Sequence, residues 1–191
     1  MDEYKIIAIM GKAGAGKDTL MNEMVKIMPD SQAIVSCTTR PIREGEQDGV
    51  NYHYLTHEEF TEQILKNEML EATIFNDWCY GTSTKNLALD KLNIGVFNPE
   101  GVEILKDNPR INLTIVYVVA DDKVRLLRQL NREEHPDCHE IIRRFSADEQ
   151  DFNDDRIDAI HPNCVIINNG QWPASTFART FYEQWREGNI N

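Results

Sequence analysis

The run Gly11-Lys12-Ala13-Gly14-Ala15-Gly16-Lys17 has the spacing G-x-x-x-x-G-K. Glycines at those positions let backbone N–H groups converge on phosphate oxygens. A helix starting at the lysine adds about half a positive charge at its N-terminus. Lys17 would then bridge the β- and γ-phosphates of a nucleoside triphosphate. This reading makes Gly11, Ala13, Gly14, Ala15, Gly16, Lys17 and Thr19 triphosphate ligands. The pattern asks for Ser or Thr after the lysine to hold Mg²⁺, but this chain has Asp18. Asp18 is therefore expected to act on the metal through its waters, with Thr19 on the phosphates.

A second group is Arg40 and Arg43 around Pro41, with Tyr52 downstream. Two guanidinium forks can clamp one phosphate bidentately, which a lysine cannot do, and a tyrosine can add a third hydrogen bond. Taken alone, two loop arginines are more often solvated surface charge than a phosphate clamp. A third group is Arg128 and Arg132, four apart on one helix face, with Arg144 on the helix after a polar loop. Pairs such as Glu140 with Arg144 are the plainer explanation for that charge.

These groups need a scaffold. Tyr4–Met10 reads as a buried strand by length and isoleucine content, and Leu20, Met24 and Met28 mark the helix that follows, closed by Pro29. Ala33–Cys37 reads as a second strand and Asn51–Leu55 as a half-buried one. Thr56 and Glu59 form a capping box before a helix with Phe60 and Ile64. Ser83–Asn93 is expected as helix, Gly95–Asn98 as a short strand, and Pro99 in the first turn of the next helix. Ile111–Ala120 is the most apolar strand. Helices at Asp122–Arg132 and His139–Phe152 flank a polar loop, Glu133–Cys138. A strand at Cys164–Asn168 and a helix at Ala174–Arg186 complete the chain. Helices alternating with apolar strands predict an α/β protein with a parallel sheet covered on both faces.

The 191 residues include 32 acidic and 20 basic side chains, a net charge of −12 with pI near 4.8. That charge opposes a nucleic-acid partner, which would need a basic face, but permits small anions in a local basic pocket. The longest apolar run, Ile115–Ala120, is too short for a membrane, which needs about 20 residues. Cys37, Cys79, Cys138 and Cys164 form no CxxC pair and no disulfide framework. The start shows no signal segment, so a cytoplasmic protein is expected. His135, Cys138 and His139 have metal-like spacing but lack a fourth ligand, and the acidic stretch Asp148–Asp158 reads as a solvated helix face.

Ser36–Leu55 (SCTTRPIREGEQDGVNYHYL), Met69–Thr82 (MLEATIFNDWCYGT) and the glycine loop, in that order and spacing, resemble the guanylate kinase family. The motif T-T-R-x-x-R-x-G-E-x-x-G-x-x-Y carries most of the likeness, which extends over about residues 4–186. The resemblance implies a three-layer P-loop kinase fold in one domain, residues 1–191. Its parts would be a core with a central parallel sheet, an inserted acceptor-binding region at about 36–88 and a helical lid at about 121–152. It implies ATP as phosphoryl donor with Mg²⁺, GMP or dGMP as acceptor, and small-molecule nucleotides as the binding partners. By position, Arg40, Arg43, Tyr52 and Tyr80 match ligands of the GMP phosphate. Ser36, Glu71, Gly81 and Thr82 match the guanine site, Lys17, Arg128, Arg132 and Arg144 the groups around the transferring phosphoryl, and Asn168 a contact to adenine. Glu71 also has a physical rationale: guanine shows two adjacent donors, which one carboxylate accepts together.

The family's Asp-x-Asp at the end of a central strand is replaced here by Val96-Phe97-Asn98, followed by Pro99-Glu100-Gly101. Asn98 keeps one acceptor for guanine and loses the charge; Asp18 is a candidate replacement for that charge near the metal. Other readings are a relaxed deoxynucleoside monophosphate kinase, a ribose 1,5-bisphosphate phosphokinase and a non-catalytic guanylate-kinase-like interaction module. The intact glycine loop opposes the last. Oligomeric state is not legible in the chain.

Overall fold

The computed structural model describes residues 3–43, 45–75, 77–132 and 134–190, with only the backbone of Phe75. Strand β1 (Tyr4–Met10) lies at the centre of a five-stranded parallel sheet ordered β2-β7-β1-β8-β9. The partners are β2 (Ser31–Ala33), β7 (Leu92–Val96), β8 (Ile111–Val119) and β9 (Cys164–Ile167). The two-residue period of β1 builds a core on each face. Ile7 and Ile9 pack with Leu20 and Met24 of α1 (Lys17–Ile27) and Ala178 and Phe181 of α7 (Ala174–Arg186). Ile6, Ala8 and Met10 pack on the other side with Val102 and Leu105 of α3 (Pro99–Lys106) and Ile160 of α6 (Asp154–Ile160). Helix, sheet, helix: the expected three layers are present.

A smaller sheet, ordered β4-β3-β6-β5, holds β3 (Cys37–Thr38), β4 (His53–Tyr54), β5 (Met69–Phe75) and β6 (Trp78–Ser83). Helix α2 (His57–Leu65) buries Phe60, and its Thr56–Glu59 capping box is formed in both directions.

Several elements differ from expectation, and the strand expected at Gly95–Asn98 is β7, which starts three residues earlier at Leu92 and ends at Val96. The anticipated strand Ala33–Cys37 divides between sheets: β2 ends at Ala33 and β3 begins at Cys37. The chain leaves the central sheet there, so one apolar run serves two sheets. Ser83–Asn93 is not a helix; β6 runs into Ser83, a 3₁₀ turn covers Thr84–Asn86, and Leu92 already pairs with Lys5. Buried Asn93 holds this return: its Nδ2 donates to Lys5 O, Ala88 O and Lys91 O, and its Oδ1 accepts from Ala88 N and Gln32 Nε2. A buried amide with every valence used specifies that crossing.

Helix α4 spans Asp122–Leu130 and α5 Cys138–Asp151, and Glu133 of the intervening loop lies outside the described residues. Helix α6 was not anticipated. It is tied to α3 by a bidentate pair in which Arg156 Nε and Nη2 each donate to Glu103 at 2.7 Å. No described helix is long and apolar enough to cross a membrane.

Candidate active site

The loop between β1 and α1 is shaped by close packing from behind. Gly14 has φ +79°, and a Cβ there would lie 2.6 Å from the Arg125 carbonyl oxygen; Gly16, at φ +97°, would meet Asn168 Nδ2. Larger residues would be strained at both positions on conformation, and at Gly14 they would also clash with backbone. Lys17 Nζ donates to Lys12 O at 3.2 Å, closing the loop on itself. Burial draws the Lys17 ammonium below its ordinary pKa, opposed by the charges of Asp18 and Asp148 and assisted by Arg125 and Arg144. Asp18 and Thr19 are exposed in the first turn of α1.

Asn168 and Arg128 brace the loop's carbonyls. Asn168 Nδ2 donates to Ala15 O at 2.8 Å. Arg128 Nη1 donates to Gly14 O at 3.2 Å and Ala15 O at 3.3 Å, and its Nη2 to Asn168 Oδ1. Arg128 thus supports the loop from behind, a different placement from the arm over the phosphoryl group that its position implied. Arg132 is exposed beyond the end of α4. Arg144 projects from α5, held by Glu140 at 2.7 Å, and its charge is felt by both Lys17 and Arg43. The donor loop, α5 and the arginine loop therefore converge.

On the acceptor side, Arg40 is buried, and its guanidinium lies 5.6 Å from the centre of the Tyr52 ring and 5.7 Å from that of Tyr54. Glu46 orients it: Arg40 Nη2 donates to Glu46 Oε1 at 2.8 Å, and Glu46 Oε2 accepts from Arg43 N and Tyr54 Oη. Burial works against the Glu46 charge, but those three donors hold its carboxyl down at about 2. The exposed Arg43 is drawn down by desolvation and by the charges of Arg144 and Arg40. Tyr52 packs edge-on to Tyr80, and burial pushes its phenol up to about 12. The Asp18 charge also reaches Tyr52, so the first residue after the loop lysine faces the acceptor cluster.

Deeper in the smaller sheet, Glu71 on β5 is directly opposite Thr82 on β6. Glu71 is 6% exposed, and burial pushes its carboxyl up to about 7, against the stabilising effect of Thr82. Thr82 Oγ1 is fully buried beside it, close enough to favour the charge yet outside hydrogen-bond geometry and without a partner among the described residues. A buried carboxyl with no counter-cation among the described residues, next to a hydroxyl without a partner there, is an arrangement waiting for a polar ligand. Gly81 has a packing reason for its identity, since a Cβ would lie 2.7 Å from Glu71 O. Ser36 accepts from His53 N where the chain enters the sheet. The Asn98 side chain is engaged elsewhere: Oδ1 caps α3 by accepting from Gly101 N at 2.8 Å, and Nδ2 donates to Thr73 Oγ1.

Sequence reasoning missed Glu46, Arg125 and Asp148. The acidic stretch Asp148–Asp158 was expected as solvated helix face, yet Asp148 accepts from the loop N–H of Ala13 at 2.7 Å and pairs with Arg125. Arg125 is 1% exposed. One signal was available, because Arg125 lies three residues before Arg128 and so on the same face of α4.

The Guanylate kinase family model matches residues 3–169. A guanylate kinase of Campylobacter jejuni strain RM1221 is 30% identical over 169 residues, covering 86% of this chain and 80% of that protein. One from Salinibacter ruber is 30% identical over 178 residues, covering 91% and 93%. Among solved structures, guanylate kinase from Anaplasma phagocytophilum superposes with a TM-score of 0.65 at 16% identity, over all of this chain and 89% of that one, a likeness of fold.

Proposed function

The chain belongs to the guanylate kinase family of nucleoside monophosphate kinases, and from that premise we propose that it moves the γ-phosphoryl group of ATP to GMP and dGMP. The observation that carries the acceptor assignment is the buried Glu71 carboxyl beside the unsatisfied Thr82 hydroxyl. Guanine presents a ring N–H and an amino group side by side, and a carboxylate accepts both. Adenine puts a lone pair in place of the ring N–H, and a polar site left unpaired in that way rejects its analogue by up to about 10⁴-fold.

In this reading the parts are a core, an acceptor region at about 36–88 and a lid at about 121–152. The backbone of Gly11 and Gly14–Gly16, with Lys17 and Thr19, holds the triphosphate, while the Ala13 N–H that the glycine pattern also offered is taken by Asp148, and Asn168 stands at the adenine side. Arg40, Arg43, Tyr52 and Tyr80 hold the GMP phosphate, with Ser36, Glu71, Gly81 and Thr82 around the base. Asn98 contributes by fixing the start of α3 beside Glu71. An acceptor phosphate oxygen attacks the γ-phosphorus as the bond to the bridging oxygen breaks, and that electron pair leaves with ADP. The acceptor is already anionic near neutral pH, so no general base is required. Lys17, Arg144 and Arg132 neutralise the charge on the moving group and exclude water from it.

Mg²⁺ accompanies ATP in such transfers and offsets phosphate charge. Asp18, an exposed carboxylate at the head of α1, is the kind of hard oxygen donor that Mg²⁺ accepts through its water shell. Asp18→Ala is expected to raise the Mg²⁺ concentration for half-maximal turnover about tenfold; a Mg²⁺ titration superimposable on the wild type would remove Asp18 from this role. Glu46→Gln loosens Arg40 and should raise KM for GMP about tenfold with kcat nearly kept, as steady-state kinetics at saturating ATP will show.

The deciding experiment is a coupled ADP-release assay with ATP, Mg²⁺ and each of GMP, dGMP, AMP, dAMP, CMP, dTMP and ribose 1,5-bisphosphate. Turnover confined to GMP and dGMP is the expected result. Turnover with the sugar bisphosphate alone, or with none of these, would overturn the assignment.

A further inference from the structure

Arg144 projects from α5 toward the phosphoryl path, where its charge is felt by Lys17 and Arg43, and its reach depends on the distance from that helix to the phosphate loop. Its ion pair with Glu140 is internal to the helix. The distance is set one turn later. Asp148 is four residues beyond Arg144, on the same helix face. Its Oδ2 accepts from Ala13 N at 2.7 Å and from Arg125 Nη2 at 2.7 Å. Arg125 in turn donates through Nε to Ala13 O at 3.0 Å and through Nη1 to Asp122 Oδ1 at 2.8 Å, with its guanidinium 4.7 Å from the Phe145 ring centre. Both polar groups of Ala13 are thus held by the two lid helices, one by α5 and one by α4. At the margin, Lys12 Nζ pairs with Glu149 at 2.6 Å.

We propose that Asp148, with Arg125, is a positioning pair that bolts the lid to the phosphate loop at Ala13 and thereby sets the reach of Arg144 toward the transferring phosphoryl group. The inference rests on the kinase reading above. Three observations carry it. Arg125 is almost wholly buried, and a buried guanidinium is retained only where its donors are matched. The contact joins residues 135 apart in sequence, so no local helix requirement explains it. Asp148 holds the Ala13 N–H and Arg125 holds the Ala13 carbonyl, so a lid moving away from the loop would release both bonds together.

Asp148 touches no reacting atom, so its effect must appear as misplacement. An error of about 1 Å in aligning a transferring group can cost about 10²-fold in rate. Asp148→Ala should therefore lower kcat at saturating ATP and GMP about 10²-fold, while ATP affinity, measured by calorimetry without acceptor, stays within about threefold. Arg125 keeps Asp122 and Ala13 O in that variant, so the fold is retained and Tm reports it. Asp148→Asn keeps one oxygen able to accept both bonds and should recover about tenfold of the lost kcat. Arg125→Ala combined with Asp148→Ala should be no slower than the worse single variant. Gln150→Ala, exposed on the same helix, serves as the control at wild-type rate.

The proposal is overturned by Asp148→Ala within threefold of wild-type kcat. It is equally overturned by a loss that appears wholly as weaker ATP binding, or by an asparagine variant as slow as the alanine one. A wild-type protein that transfers nothing to GMP would instead bring down the kinase reading and this inference with it, an outcome visible before any variant is made.

Discussion

Lys17→Met is expected to lower kcat about 10³-fold while leaving the fold intact. The lysine sits at the head of α1 with its ammonium donating to Lys12 O, within a loop whose shape is fixed by Gly14 and Gly16 against Arg125 and Asn168. Methionine has a similar length and keeps the helix, so folding stability should change little. The loss is the fixed positive charge at the point where negative charge spreads in the transition state. A single preorganised donor at such a point is worth about 10²–10³ in rate, and a cationic one about 10³–10⁵. Burial already draws the Lys17 ammonium down, against the charges of Asp18 and Asp148. The measurement is kcat at saturating ATP and GMP beside a thermal melt. A variant within tenfold of wild type would deny Lys17 its role.

Glu71→Gln should lower kcat/KM for GMP about 10³-fold and leave the weak rate with AMP nearly unchanged. The amide turns one acceptor into a donor that faces a donor of guanine. The cost is a lost charge-assisted bond plus a buried donor left unpaired. Equal losses for GMP and AMP would mean that Glu71 acts on the sheet and not on the base.

The same carboxyl gives a pH signature with a definite sign. Burial raises it from 4.5 to about 7. Above that pH it is charged and accepts the two guanine donors; below it the group is protonated, so kcat/KM for GMP falls as pH drops through 7. The phosphate of GMP takes up its own proton near about pH 6, and that second inflection alone should remain in Glu71→Gln. Because the folded pKa exceeds the unfolded one, the folded state holds this proton more tightly. The contribution of this group to stability is fully present below pH 4.5, declines as pH rises from 4.5 to 7, and is level above. Glu71→Gln removes the decline, so its Tm should fall less between pH 5 and 8 than that of wild type.

Much of this architecture is legible in local pattern. Tyr4–Met10 as a buried strand, the helix from Lys17, the Thr56–Glu59 capping box, Pro99 opening α3 and the helix Ala174–Arg186 each depend on neighbours within a few residues, and each is found where expected. The glycine loop is equally local, because its spacing follows from the geometry of a backbone cradle. The long motif Thr38–Tyr52 and the segment around Glu71 were sufficient to indicate the family.

What only the tertiary structure decided are properties of distant pairs. Whether Ala33–Cys37 was one strand or two depended on which sheet each end joined. Ser83–Asn93 had helical composition, but its ends were claimed by β6 and β7, and the buried Asn93 amide held the turn between them. Asp148 looked like one more solvated carboxylate because its partner is an N–H 135 residues away. Arg128 looked like an arm over the phosphates because a sequence does not show that its guanidinium faces the rear of the loop. Helix propensity and periodicity report a residue's face relative to its own axis. They carry no information on where that axis lies, and the charges of this site are matched between axes.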